Sequence, residues 1–181
     1  ASRDSRSVVA SDLGFAVGPR VNAAGRLDDM SIGIECLLSQ ESGRAASLAL
    51  QLHQLNLDRR VIERGMQEEA LQELERLELA GEGEPPVAMT LYRSGWHQGV
   101  IGILASRLKD RFHRPTIAFA RSNSGELKGS GRSISGLHLR DALDLVSKRH
   151  PTLINKFGGH AAAAGLSIAE ANFENFVAAF E

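Results

Sequence analysis

Residues 42–79 read SGRAASLALQLHQLNLDRRVIERGMQEEALQELERLEL. From Ser42, a candidate N-cap, apolar side chains recur at helical spacing: Leu48, Leu52, Leu55, Ile62, Met66, Ala70, Leu74 and Leu77. The spacing predicts one helix as far as Leu79, about 55 Å long at a rise of about 1.5 Å per residue. That is more than a compact domain of this size needs internally, so the helix reads as a strut. Its end is marked by Gly81-Glu82-Gly83-Glu84-Pro85-Pro86, the clearest linker signal in the chain, and a domain boundary is expected there.

Working outward, residues 87–92 read as a strand and residues 99–112 as a helix with Val100, Ile103, Leu104 and Leu108 on one face. Pro115 stops that helix, and the β-prone run Thr116-Ile117-Ala118-Phe119-Ala120 reads as a buried strand, completing a β-α-β unit. Residues 121–128 read as a polar turn, 129–134 as a glycine-rich strand or loop, 139–148 as a helix and 165–168 as a last strand before a helix from Glu170. Upstream, Gly14, Gly18-Pro19 and Gly25 break residues 8–27 into irregular chain or short strand. Asp28-Asp29-Met30-Ser31 is a helix start, leading into a short helix over residues 32–40.

The 181 residues, 43% hydrophobic, are enough to bury a core, and aromatics at 5% argue against a base-stacking platform. These features indicate an α/β protein. Cys36 is the single cysteine, which excludes an intrachain disulfide and a thiolate zinc cluster, fits a reducing cytoplasm, and is assigned to the core. The charged start Ala1-Ser2-Arg3-Asp4-Ser5-Arg6 precedes no uninterrupted apolar stretch of signal or membrane-spanning length, so a soluble protein without membrane insertion is expected. The chain lacks an initial Met and stops at Glu181 within an expected amphipathic helix, so both ends are expected to be cut from something longer.

A net charge of −1 argues against holding duplex nucleic acid by bulk electrostatics. The charge is segregated, however: residues 63–84 hold eight acids against two arginines, whereas residues 107–132 hold seven Lys and Arg against Asp110 and Glu126. The basic section coincides with glycine-rich motifs.

Gly129-Ser130-Gly131-Arg132-Ser133 has the ingredients of an anion site: glycines that let backbone N–H groups approach, two hydroxyls, and a guanidinium that holds phosphate bidentately. It reads equally as a plain hairpin, and it is not a Walker loop. Lys156-Phe157-Gly158-Gly159-His160, followed by four alanines, brings a histidine into a crowded small-residue setting, either a site of close approach or a turn whose alanines pack. His97 stands at a helix start, where unpaired donors suit an anion, or merely neighbours the cap; Arg107 lies further along, in the cleft or in solvent. Gly18 to Arg26 sets Arg20, Asn22 and Arg26 in a small-residue segment, either as a polar lining or paired with Asp28 and Asp29. No Asp/His cluster has the spacing a two-metal phosphodiesterase needs, so neither a catalytic nor a metal-ligating residue is assigned.

Taken together and in order, GPRVNAAGR (18–26), WHQGVIGILASR (96–107), KGSGRS (128–133) and KFGGHAAAAG (156–165) resemble the RecJ family of single-strand-specific exonucleases in the DHH phosphoesterase superfamily. Asn56, Arg59 and Arg60 of the long helix and the stretch RSISGLHLRDAL from Arg132 extend the likeness. The resemblance implies an α/β fold in which a long connecting helix is followed by a small mixed β-sheet domain flanked by helices. Residues 1–40 would be the tail of the DHH catalytic domain, 41–84 the connecting helix and linker, and 85–181 the DHH-associated domain. The Asp and His ligands for manganese or magnesium, and the Asp-His-His triplet, would lie outside this chain, leaving it inactive alone.

By the same resemblance Ser130 and Arg132, with Ser133, would bind a substrate phosphate at the 5′ end of a single DNA strand, with Gly159 and His160 beside them. His97 and Arg107 would line the cleft, and Arg20, Asn22 and Arg26 would touch the strand or brace the metal face. The implied parent is a cytoplasmic 5′ to 3′ exonuclease of DNA repair and recombination. A small-nucleotide phosphoesterase of the same superfamily, acting on oligoribonucleotides or cyclic dinucleotides, and a non-catalytic interaction module are the competing expectations.

Overall fold

A computed structural model describes residues 7–79 and 86–181. Residues 1–6 and positions 81–85 of the expected linker lie outside the described residues, as do the side chains of Leu74 and Leu77. Contacts divide the chain into two compact units, one ending at Ile62 and the other beginning at Glu63.

In the first unit the expectation of irregular chain over residues 8–27 is overturned. Helix α1 (Ala10–Asp12) runs through a π-helical stretch, Leu13–Val17, into α2 (Gly18–Leu27). Gly18 N–H reaches back five residues to Leu13 O, and this wider π register admits the Pro19 ring, which an unbroken α-helix would meet as a clash. Ala23 and Ala24 are fully buried. Helix α3 is Ser31–Leu38, and Asp29 Oδ1 accepts the Ser31 N–H at 2.8 Å, the capping role expected of that pair. Gly33 lets α3 approach α2, since a Cβ there would stand 3.1 Å from Val21 Cγ1. Cys36 is half-buried rather than core, its thiol 3.7 Å from Ala45 O.

Helix α4 (Ser42–Leu79) has the extent its spacing predicts. Leu48 and Leu52 are buried along its stripe in the first unit, and Met66 and Ala70 in the second. Among the described residues no helix is long and apolar enough to cross a membrane.

The second unit is built on a five-stranded mixed sheet in the order β1-β2-β3-β5-β4, from β1 (Met89–Tyr92), β2 (Thr116–Arg121), β3 (Glu126–Arg132), β4 (Lys156–Gly159) and β5 (Ala163–Ala169). β1 and β2 are parallel, joined through α5 (Ile101–Phe112); the remaining pairs are antiparallel. Helix α5 buries Ile101, Leu104, Ala105 and Leu108, the i, i+3, i+4, i+7 set of one face, and packs on β2 and β3. His113 in the left-handed region ends it.

On the other sheet face α6 (Leu139–Arg149) and α7 (Phe173–Phe180) enclose a core of Ile117, Phe119, Leu127, Leu139, Leu143, Leu166, Ile168 and Phe176. Phe119 meets Phe176 edge-on with ring centroids 5.4 Å apart. Covered on both faces, β2 shows the continuous apolar run expected of a central strand. The expected polar turn over 121–128 is shorter, because β3 already begins at Glu126, and the supposed turn at Gly158 and Gly159 is the edge strand β4.

Candidate nucleic-acid interface

Strand β3 divides its motif between two faces. Gly129 and Gly131 point into the core, where a Cβ would stand 2.6 Å from Leu166 Cδ2 and 2.7 Å from Leu139 Cδ2 respectively. Their neighbours Ser130 and Arg132 therefore project from the opposite face, the face on which α5 lies. Arg132 Nη1 donates to Ser130 Oγ at 3.1 Å and to Gly131 O at 2.8 Å. Both meet the first turn of α5 at Gly102, where a Cβ would stand 2.9 Å from Ser130 Oγ and 3.0 Å from Arg132 Nη2. A guanidinium, a hydroxyl and the start of a twelve-residue helix thus converge where no side chain intervenes.

The first N–H groups of α5 have no carbonyl one turn back inside the helix, and the helix dipole adds partial positive charge at that end. Such an arrangement has the chemistry to accept an anion, phosphate above all.

The β4-β5 hairpin is seated beside it by register, which sets Ala163 opposite Arg132. His160 at the tip is exposed and donates its N–H to Ala163 O at 2.8 Å. The tip is tied down by Ser133 N–H to Ala162 O and Leu139 N–H to Ala161 O, both 2.9 Å. Gly159, at φ +150°, is required there, since a Cβ would meet the backbone of Ala163 and Ala164.

Of the other residues singled out, His97 lies in the turn leading into α5, its Nδ1 accepting the Gly99 N–H at 3.1 Å. Ser133 is buried and its hydroxyl donates to Leu137 O at 2.8 Å, closing a turn. Arg107 is five residues beyond Gly102, about 7.5 Å further along the helix axis. It is exposed, with its Nε 3.3 Å from Glu63 Oε1, and so is drawn to α4 rather than to Ser130. Arg20, Asn22 and Arg26 belong to the first unit. There Arg20 donates to Ala16 O at 2.5 Å and His53 Nδ1 at 3.3 Å, while Asn22 and Arg26 are exposed. Among the described residues no group of three or more His, Cys, Asp and Glu side chains is placed to hold a metal ion.

Gly102 escaped the sequence reading. Its signal was a glycine in the first turn of a helix whose flanks, Val100, Ile101 and Ile103, are all apolar: a residue with no packing reason to be small is small for something that approaches it.

The DHHA1 domain family matches residues 85–181. The chain belongs to the DHHA1 family. Over 175 residues it is 59% identical to the single-stranded-DNA-specific exonuclease RecJ of Dickeya dadantii, an alignment covering 97% of this chain and 30% of that protein. RecJ of Escherichia coli is 56% identical over 176 residues, again 97% of this chain and 30% of the relative. A crystal structure of exonuclease RecJ bound to manganese matches with a TM-score of 0.78 at 31% identity, covering 96% of this chain and 40% of that one. RecJ of Thermus thermophilus in complex with Mg2+ matches with the same TM-score and identity, covering 94% and 25%. The RecJ likeness read from four motifs therefore extends over nearly the whole DHHA1 chain, which spans about 30% of the length of the curated relatives it matches.

Proposed function

We propose that this chain is the substrate-holding part of a metal-dependent 5′ to 3′ exonuclease that acts on single-stranded DNA in repair and recombination in the cytoplasm. Residues 1–40 would close the catalytic domain, 41–84 connect, and 85–181 bind substrate. The observation that carries this reading is the convergence of Ser130, Arg132 and the α5 N-terminus at Gly102, in a chain closely similar to single-strand-specific exonucleases. A 5′-phosphate fits the three donors, and one narrow basic site suffices for a single strand even at a net charge of −1. Arg20, Asn22, Arg26, His97, Arg107, Gly159 and His160 are assigned to the strand's surroundings.

On this reading the manganese or magnesium ligands belong to parts of the whole enzyme beyond this chain, and no step of hydrolysis is assigned to it. Purified alone, the chain is expected to bind a 5′-phosphorylated decamer more tightly than a 5′-phosphorylated dinucleotide and to leave both intact with manganese present. Chelator-sensitive degradation by the chain would overturn the placement of the metal centre, and a preference for the dinucleotide would favour a small-nucleotide phosphoesterase.

Gly102→Ala tests the geometry directly. The new methyl meets Ser130 Oγ at 2.9 Å and the far end of Arg132 at 3.0 Å, so the pair must shift and decamer binding is expected to weaken about three- to tenfold, the partial loss of one charge-assisted contact. Alanine is also the better helix former, so the melting temperature should hold or rise. Unchanged affinity in anisotropy titrations would show that no phosphate sits at this turn.

A further inference from the structure

On the α5 side of the sheet two cross-strand rows lie beyond the helix. Register aligns Ser130 with Gly165 and Gly158 in one row, and Lys128 with Ser167 and Lys156 in the next. Gly158 and Gly165 are exposed, and a Cβ added at Gly158 would meet no atom within 4 Å. The glycines leave a shallow groove of about 310 Å³, floored by Gly158, Gly165 and Ser167 and flanked by Lys128 and Lys156. Ser167 is only 5% exposed and lines the groove. Bare backbone and two ammonium groups form a surface for a chain of anions.

We propose that this groove carries the phosphates that follow the terminal one, so that a single strand anchored at Ser130 and Arg132 runs across β5 and β4 between Lys128 and Lys156. The inference rests on the anion site of the proposed function. Continuity supports it: Ser130 belongs to the first row, and Lys128 is two residues away on the same strand, about 6.8 Å. Gly158 lies two strand spacings from Ser130, about 10 Å, which an extended strand of a few nucleotides spans. One acid faces the same groove wall, Glu126, 3.2 Å from Lys128. Hydrogen bonds from Asn155 and from Lys128 hold its carboxyl below the ordinary range. Lysine suits such a track, since a flexible point charge follows a backbone without reading its sequence.

The test compares a 5′-phosphorylated thymidine decamer with the 5′-phosphorylated dinucleotide, titrated by anisotropy against the unchanged chain, Gly158→Val, Lys156→Ala and Arg132→Ala. Gly158→Val places its Cβ in the open groove, with no atom within 4 Å, and Lys156→Ala removes an exposed charge, so each is expected to fold as judged by circular dichroism. Both should weaken decamer binding about three- to tenfold and dinucleotide binding less than twofold, as the loss of one exposed phosphate contact implies. Lys156→Ala should also lower the salt slope of decamer binding by about 0.7. Decamer affinity unchanged in both variants, or equal losses for the two ligands, would overturn the groove. Arg132→Ala probes the terminal site separately: if it alone leaves both affinities unchanged, the anion site fails and the groove, resting on it, fails as a continuation.

Discussion

Arg132→Ala is expected to weaken binding of a 5′-phosphorylated single strand by about 10- to 150-fold, the loss of about 1.5–3 kcal/mol for one charge-assisted contact. The size follows from position. Arg132 is half-buried at the end of β3, pinned by hydrogen bonds to Ser130 Oγ and Gly131 O, with its guanidinium against the first turn of α5. A side chain held in this way gives up little further rotamer freedom when phosphate arrives. Stability should respond far less. The hydrogen bonds to Ser130 and Gly131, both to uncharged partners at a half-exposed site, contribute about 1 kcal/mol net, and their loss by itself should lower the melting temperature by only about 2–4 °C. Arg132→Lys keeps the charge but loses the planar fork, so it should recover only part of the affinity. Anisotropy titrations at low salt, paired with thermal melts, separate the two effects. If neither the alanine nor the lysine variant differs from the unchanged chain, the guanidinium does not touch phosphate.

Much of the second unit was legible because its elements carry their own periodicity. The stripe of α4, the Val100–Leu108 face of α5 and the apolar run of β2 each state a period and a stop signal. Residues 8–27 were not legible, because Gly14 and Gly18-Pro19 are breakers by every local rule. Only a π-helical register, which leaves no periodic trace over five residues, lets a helix pass them. Strand β4 was read as a turn for a related reason. Lys156-Phe157-Gly158-Gly159 has no β-branched residue, and its strand character comes from pairing with β5.

The anion site divides in the same way. The residue types of KGSGRS point to phosphate chemistry. That Ser130 and Arg132 share one face while Gly129 and Gly131 fill the other is the period of a strand, which the glycines disguised as a loop. Ser133 and Arg107 share that chemistry, but the Ser133 hydroxyl closes a local turn on Leu137 O, and Arg107 meets Glu63, a tertiary partner that no local pattern specifies. Gly102 was legible only once α5 was packed against Ser130, and Lys156 only once the sheet register aligned it through Ser167 with Lys128.

Gly159→Ala should be the most damaging single-methyl change in the DHHA1 region. Two costs add. At φ +150° an L-residue is strained by about 1–3 kcal/mol, and overpacking a fixed backbone costs about as much again. Here the obstruction is backbone, with Ala164 Cα 2.5 Å from the added Cβ and Ala163 O also in its way, so no side chain can swing aside. Ala163 O is also the acceptor of the His160 N–H, which means relief of the clash loosens the hairpin tip. Ser133 and Leu139 hang from the next two carbonyls back toward His160, so the disturbance reaches the end of β3 and the start of α6. A destabilisation of about 3 kcal/mol corresponds to a melting temperature lower by about 6–12 °C for a chain of this length. Gly158→Ala, one residue earlier and facing open space, should melt with the unchanged chain or slightly above it. Coincident melts for the two alanine variants would mean that the hairpin is not locked at Gly159.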